Sequence, residues 1–171
     1  MLNRNFANMV SAFGSSADFA KIKDINNTEQ NALPSVVFTG LRSPVAKKIS
    51  EMDYNTSTFT IGSGNSDETF ESNALTTPID ETSFRIVSAT LTKLYSNYED
   101  TKSIITQLWE YTGSTPITIN EIGLIVEQNG NIHIMLDRTV LDTPITVNSG
   151  DTFTIALTIG GKATVTVNKA A

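Results

Sequence analysis

The stretch from Asp151 to Asn168 constrains the fold more than any other part of the chain. Phe153, Ile155, Leu157 and Ile159 alternate with Thr152, Thr154, Ala156 and Thr158. Successive side chains of an extended chain point to opposite faces, so one face of this segment is apolar and the other carries hydroxyls. Ala163, Val165 and Val167 repeat the pattern against Thr164 and Thr166, and Gly160-Gly161 between them supplies a turn. This period of two describes half-buried strands. The chain holds 24 threonines, most of them near Ile, Val or Phe, and such residues favour the pleated conformation.

More strands are expected upstream. Residues 84–95 and 101–111 are long candidates split by the polar run Ser96 to Asp100, and apolar residues on both faces of each predict central strands. Ile122, Leu124 and Val126 alternate before Asn129-Gly130, and Ile132, Ile134 and Leu136 alternate after it. A two-residue loop would split these apolar sets between faces. A three-residue loop over Gln128, Asn129 and Gly130 pairs Val126 with Ile132, Leu124 with Ile134 and Ile122 with Leu136, which keeps them together. Gly130 then takes the left-handed position of the turn. The opposite face, with Gly123, Ile125, His133 and Met135, is apolar enough to need cover from a second sheet or another subunit. Val36-Val37-Phe38 after Pro34 reads as a first strand ended by Gly40, and residues 47–53 as a surface loop. Thr58 to Ile61 meets a Gly-rich turn, and Asp67 is placed to cap a short helical turn running to Leu75. Pro144 suits a sheet edge or a strand start, where no amide donor is needed.

Helical spacing is convincing only near the N-terminus. Leu2, Phe6, Met9, Val10 and Phe13 share one face, Gly14-Ser15-Ser16 interrupts, and Ala17, Phe19, Ala20 and Ile22 resume the spacing. A helix this short needs something to dock on, either its own domain or a neighbouring subunit. The expected architecture is all-β, an antiparallel β-sandwich or jelly roll with a short N-terminal helical arm. Residues 1–33 are expected to form the arm with its docking helix and linker, and residues 34–171 the sandwich domain. No repeat of fixed period points to a solenoid or propeller.

Composition narrows the function. The chain has no cysteine, so disulfides and thiolate metal sites are excluded. No apolar run reaches the length of a membrane span, and no compact apolar stretch follows basic residues as in a secretory signal. A net charge of −6 and a pI near 4.7 argue against nucleic acid as a partner. The charge is uneven: residues 1–50 carry six bases and three acids, and residues 51–112 three bases and ten acids. A basic arm beside an acidic body can pair between copies, or both can be plain solvated surface.

Catalytic options are few. His133 is the single histidine and sits mid-strand in the expected hairpin, a poor place for a triad base. Asp67, Glu68, Glu71, Asp80 and Glu81 are dense acids, but nothing marks a pair for glycoside hydrolysis or a calcium-loop spacing. Gly62-Ser63-Gly64 lacks the lysine of a phosphate loop. No catalytic residue, cofactor or metal is therefore expected. Trp109 and Tyr111 share a strand face, and with Tyr95 and nearby Tyr98 they form either a platform for sugar or ordinary core aromatics.

Several segments together resemble a pattern in small virion structural proteins of tailed bacteriophages. They are Ile61-Gly62-Ser63-Gly64, Asp67, Asn73 to Ile79, Ile119 to Leu124, Met135 to Arg138, Val140 to Val147 and Gly150 to Thr154. The resemblance spans roughly residues 59–160 and leaves out the first 50. It implies a non-enzymatic particle component, such as a head fibre, decoration, collar or tail part. Such a protein would be assembled in the bacterial host cytoplasm, with other phage virion proteins as partners and a homo-oligomeric state, a trimer among the candidates. The expected assembly contacts are Phe6, Met9, Phe13 and Phe19. The alternative is a carbohydrate-binding adhesion module using Tyr95, Trp109 and Tyr111.

Overall fold

The computed structural model describes residues 2–15, 18–95, 101–159 and 163–170, without the side chains of residues 94, 95, 101, 102 and 163. Ser96 to Asp100 and Gly160-Gly161, both read as connections, lie outside the described residues. The protein is an all-β sandwich with a short N-terminal helix. In chain order the elements are α1 (Arg4–Gly14), β1 (Ala20–Lys23), β2 (Glu29–Ala32), α2 (Pro34–Leu41), β3 (Ser57–Gly62), β4 (Phe84–Tyr95), β5 (Thr101–Tyr111), β6 (Ile117–Gln128), β7 (Ile132–Val147), β8 (Thr152–Thr158) and β9 (Ala163–Asn168).

Two sheets form the sandwich, β3-β6-β7 and β4-β5-β8-β9, and β1-β2 make a separate hairpin; these strands all pair antiparallel. One apolar cluster joins the sheets, with Phe59, Ile61, Ile122, Leu124 and Ile134 from the first and Ile105, Trp109, Phe153, Ile155 and Leu157 from the second. Trp109 stacks on Phe153, and Phe84 meets both rings edge-on. Gln107, fully buried, ties the layers together. Its Nε2 donates to Val45 O and Thr58 Oγ1, and its Oε1 accepts from Phe59 N and Trp109 Nε1.

β8 shows the expected alternation, with Phe153, Ile155 and Leu157 buried and the threonines between them partly exposed. β4 and β5 have the expected extents, but only β5 is central; β4 is an edge strand with a bulge at Val87. The β6-β7 hairpin keeps the predicted faces but not the predicted pairing, which is shifted by two residues next to the turn and by three beyond a bulge at Leu124/Ile125, where Leu124 pairs with Asp137 and Ile122 with Thr139. Val126 pairs with Ile134 and Gln128 with Ile132, so the loop is Asn129-Gly130-Asn131. Gly130 is left-handed as expected, and Asn129 joins it, at φ +82° and +61°. The opposite face carries Ile125 and Met135, covered by Leu75, Ile25, Ile49 and Met52 of the chain's own loops rather than by a second sheet or subunit.

Three local expectations are corrected. Val36-Val37-Phe38 belongs to α2, not to a strand: Pro34 occupies the first helical turn, and Pro34, Val37, Gly40 and Leu41 form its buried side. Ala20 and Ile22 lie in a strand instead of resuming the helix. Asp67 caps no helix, and residues 63–69 follow an irregular path before a turn at Thr69–Ser72. The described residues of the N-terminal segment share the main core, to which Met9, Ala12, Ala20, Ile22 and Ala32 contribute buried side chains. Asn3 caps α1 by accepting from Phe6 N, and its amide donates to Met135 O and Ser72 O.

Candidate functional site

Segments far apart in sequence converge beside β6 on a buried ion pair. Glu121 on β6 and Arg138 on β7 are 0% and 2% exposed, and Arg138 Nε donates to Glu121 Oε2 at 2.7 Å. Charges withdrawn from water this far need every lone pair and proton matched. Glu121 Oε1 accepts from the backbone N–H groups of Gly64 and Thr77, and Oε2 from that of Thr76. The guanidinium donates to Ser66 O, Asp67 O and Thr76 Oγ1. The pair therefore holds the irregular strap of residues 63–79 against the outer face of β3-β6-β7.

Glycine makes the approach possible. A Cβ on Gly62 would stand 2.5 Å from Glu121 Oε1 and 2.8 Å from Thr77 O, and one on Gly64 would stand 2.5 Å from the same carboxylate oxygen. Leu75 on the strap meets Ile125 and Met135 beneath it. Thus Ile61 to Gly64, Asn73 to Ile79, Ile119 to Leu124 and Met135 to Arg138 form one physical unit. Gly150 to Thr154 forms a second clasp: Asp151 accepts from Asn148 N, Ala170 N and Lys169 Nζ. Those bonds to the ionised form hold its carboxyl well below the usual range.

Three more of the acids singled out in the sequence have structural partners. Glu68 accepts from Val140 N, Glu71 pairs with Arg4, and Asp80 caps the turn at Thr82. Burial pushes the carboxyls of Glu81 and Asp137 up, against hydrogen bonds from Thr60 and Thr139 respectively. Among the described residues no group of three or more His, Asp or Glu is placed to hold a metal ion. An open groove of about 300 Å³ runs between α1, β1 and the strap. Its Asn5 and Asn8 amides are bonded to Lys23 O and Lys21 O.

The sugar platform is not assembled. Trp109 and Tyr111 are 0% and 3% exposed because they fill the space between the sheets, and Tyr111 Oη donates to Thr115 O. The Tyr95 side chain and Tyr98 lie outside the described residues.

The expected assembly residues divide. Met9 is fully buried, Phe6 is half-buried against Phe38, and Phe13 and Phe19 are exposed, at 64% and 55%. Phe13 and Phe6 both meet the Phe38 ring edge-on, and Val10 on the same helix is also exposed. Val10 belongs to the helical stripe read in the sequence but is smaller than the aromatic and Met side chains expected at a contact, and Phe38 is hidden by the strand reading of residues 36–38. The Glu121–Arg138 pair was missed as a pair. Its signal was a charge interrupting the apolar run on each of two facing strands. The chain matches no protein-family model, no curated protein and no solved structure.

Proposed function

We propose that this chain is a non-enzymatic structural protein of a tailed-phage particle, which self-assembles and attaches to other particle proteins as a head fibre, decoration, collar or tail part. The observation that carries the reading is the convergence of the phage-like segments on one clasp. Its two charged residues, Glu121 and Arg138, are spent on the backbone of residues 63–79, so the shared pattern describes a way of pinning a strap and not a reaction. The exposed apolar side chains supply the rest. Val10 and Phe13, one helical turn apart on α1, are both exposed, and Phe13 meets the Phe38 ring edge-on; contiguous exposed apolar surface marks a protein contact.

The test is incorporation. Expressed together with the structural genes encoded beside it, the chain should sediment with assembled particles at fixed stoichiometry in a density gradient. The Val10→Asp/Phe13→Asp variant should fold and stay out of the particle fraction. A wild-type chain found only among free proteins, with particles complete without it, overturns the reading.

A further inference from the structure

We propose that β9 is a pairing edge, and that its occupant is β9 of a second copy running antiparallel to it, so that two four-stranded sheets join into one of eight.

The first support is a comparison of the four sheet edges. An edge strand offers unpaired N–H and C=O groups, and proteins ordinarily cover or disrupt it. β3 is covered at both ends: Val45 N donates to Ser57 O, Ser57 N to Ser43 O, and Ile79 N to Ile61 O. β7 is covered by Asn3 N, Ile25 N and the Glu68 carboxylate, which bond Leu136 O, His133 O and Val140 N, and Pro144 interrupts it. β4 carries the bulge at Val87 together with Arg85 and Lys93. β9, with the sequence ATVTVN, has no charge, no proline and no shift in its register against β8. Lys169 follows it, but that ammonium is turned back onto Asp151 and Thr146 O.

The second support is charge. Two chains of net charge −6 repel, so a contact between copies belongs where charge is absent. Next to a row of Arg85, Glu110, Thr152 and Asn168, whose two charges pair with each other on the far strands β4 and β5, the outer face of this sheet carries three further rows. They are Ser88, Leu108, Thr154 and Thr166; Thr90, Thr106, Ala156 and Thr164; and Thr92, Ile104 and Thr158. None holds a charge. Pairing at β9 extends these rows into the second copy without placing like charges opposite each other.

Geometry then selects the symmetry. A three-fold ring would need β9 to meet a different edge, and the other three are covered, interrupted or charged. A two-fold contact uses the same edge on both copies. Side chains directly opposite in an antiparallel pair share a face, so the two-fold axis runs midway between a residue such as Thr166 and its own copy. Val165 then faces Val167 of the second copy, and the half-buried inner side of β9 gains cover. The inference rests on the self-assembling half of the function proposed above and names its surface.

Light scattering after size exclusion tests it, with the full chain loaded from about 1 µM to about 0.5 mM, a range suited to a small interface. The expected result is a mass that doubles within that range. The Thr164→Lys/Thr166→Lys variant changes only outward side chains, so it should keep its circular dichroism spectrum and one-chain mass throughout. In the wild type, amide exchange over residues 163–168 should slow as the mass doubles, a readout that survives any failure of the variant to fold. A wild type of one-chain mass at every loading overturns the proposal. So does a multimer that persists in the folded lysine variant, or whose formation leaves the exchange of residues 163–168 unchanged. Those last outcomes leave self-assembly standing and move it to another surface, such as the α1–α2 aromatics.

Discussion

Two glycines separate what a side chain can and cannot do here. Gly62 ends β3 where the Glu121 carboxylate and Thr77 O both crowd the position a Cβ would take. Neither neighbour can yield, because the carboxylate is fixed by three backbone donors and Arg138 and the carbonyl is bonded to Ser63 N. Gly62→Ala should therefore destabilise the fold by about 2–3 kcal/mol through overpacking. Gly14 ends α1 with nothing within 4 Å of that position. Gly14→Ala should stabilise by roughly 0.5–1 kcal/mol, because the unfolded chain loses freedom that the folded one never had. Urea denaturation of the two variants checks both signs. Equal midpoints would mean that the strap does not sit on β3 as described. In the sequence, Gly62 and Gly64 were visible as a reversal, but their reason, a buried carboxylate nearly 60 residues downstream, was not.

At the scale of elements, the strap and the N-terminal segment show how much of the fold local pattern carries. Arg138→Ala should cost about 3–5 kcal/mol, since it leaves Glu121 buried without its cation. The strap should become protease-sensitive within residues 63–79 before the sandwich unfolds, which limited proteolysis with mass spectrometry would read. Deleting residues 1–33 would remove Met9, Ala12, Ala20, Ile22 and Ala32 from the main core. The shortened chain should lose cooperative thermal unfolding, and Met9→Ala alone should cost about 2–5 kcal/mol. A sharp, near-native melt of the truncated chain would instead make the segment a detachable arm. Period-two alternation placed β8 and β9 well and gave the right faces of the β6-β7 hairpin, because burial selects parity. It could not fix the register, since a shift of two residues leaves every side chain on its face. α2 was misread because Val36, Val37 and Phe38 favour strands locally, while the spacing of Pro34, Val37, Gly40 and Leu41, which seats the helix on β6, carries the stronger constraint.

At the scale of the whole molecule, the buried carboxyls pull stability in opposite directions with pH. Burial raises the folded values of Glu81 and Asp137. A carboxyl of this kind binds its proton earlier in the folded state than in the unfolded one. Its contribution is fully present below the ordinary value and is lost as pH rises through the raised one. Asp151 is shifted downward by its backbone donors and Lys169. Its contribution is present above the ordinary carboxylate value of about 3.9 and is lost as pH falls towards the lowered one. Together with the relief of self-repulsion as the net charge of −6 is titrated, these signs place maximum stability on the acid side of neutral, between about pH 4 and 6. Thermal melts from pH 3 to 8 in dilute buffer would map the curve. Glu81→Gln keeps an acceptor for Thr60 Oγ1 and removes the charge, so it should raise the melting temperature at pH 7 to 8 and leave it nearly unchanged at pH 4. Asp151→Asn should lower it at neutral pH and flatten the decline below pH 4. A maximum at pH 7 or above that Glu81→Gln does not move would show that burial of these carboxyls does not set the pH dependence of the fold.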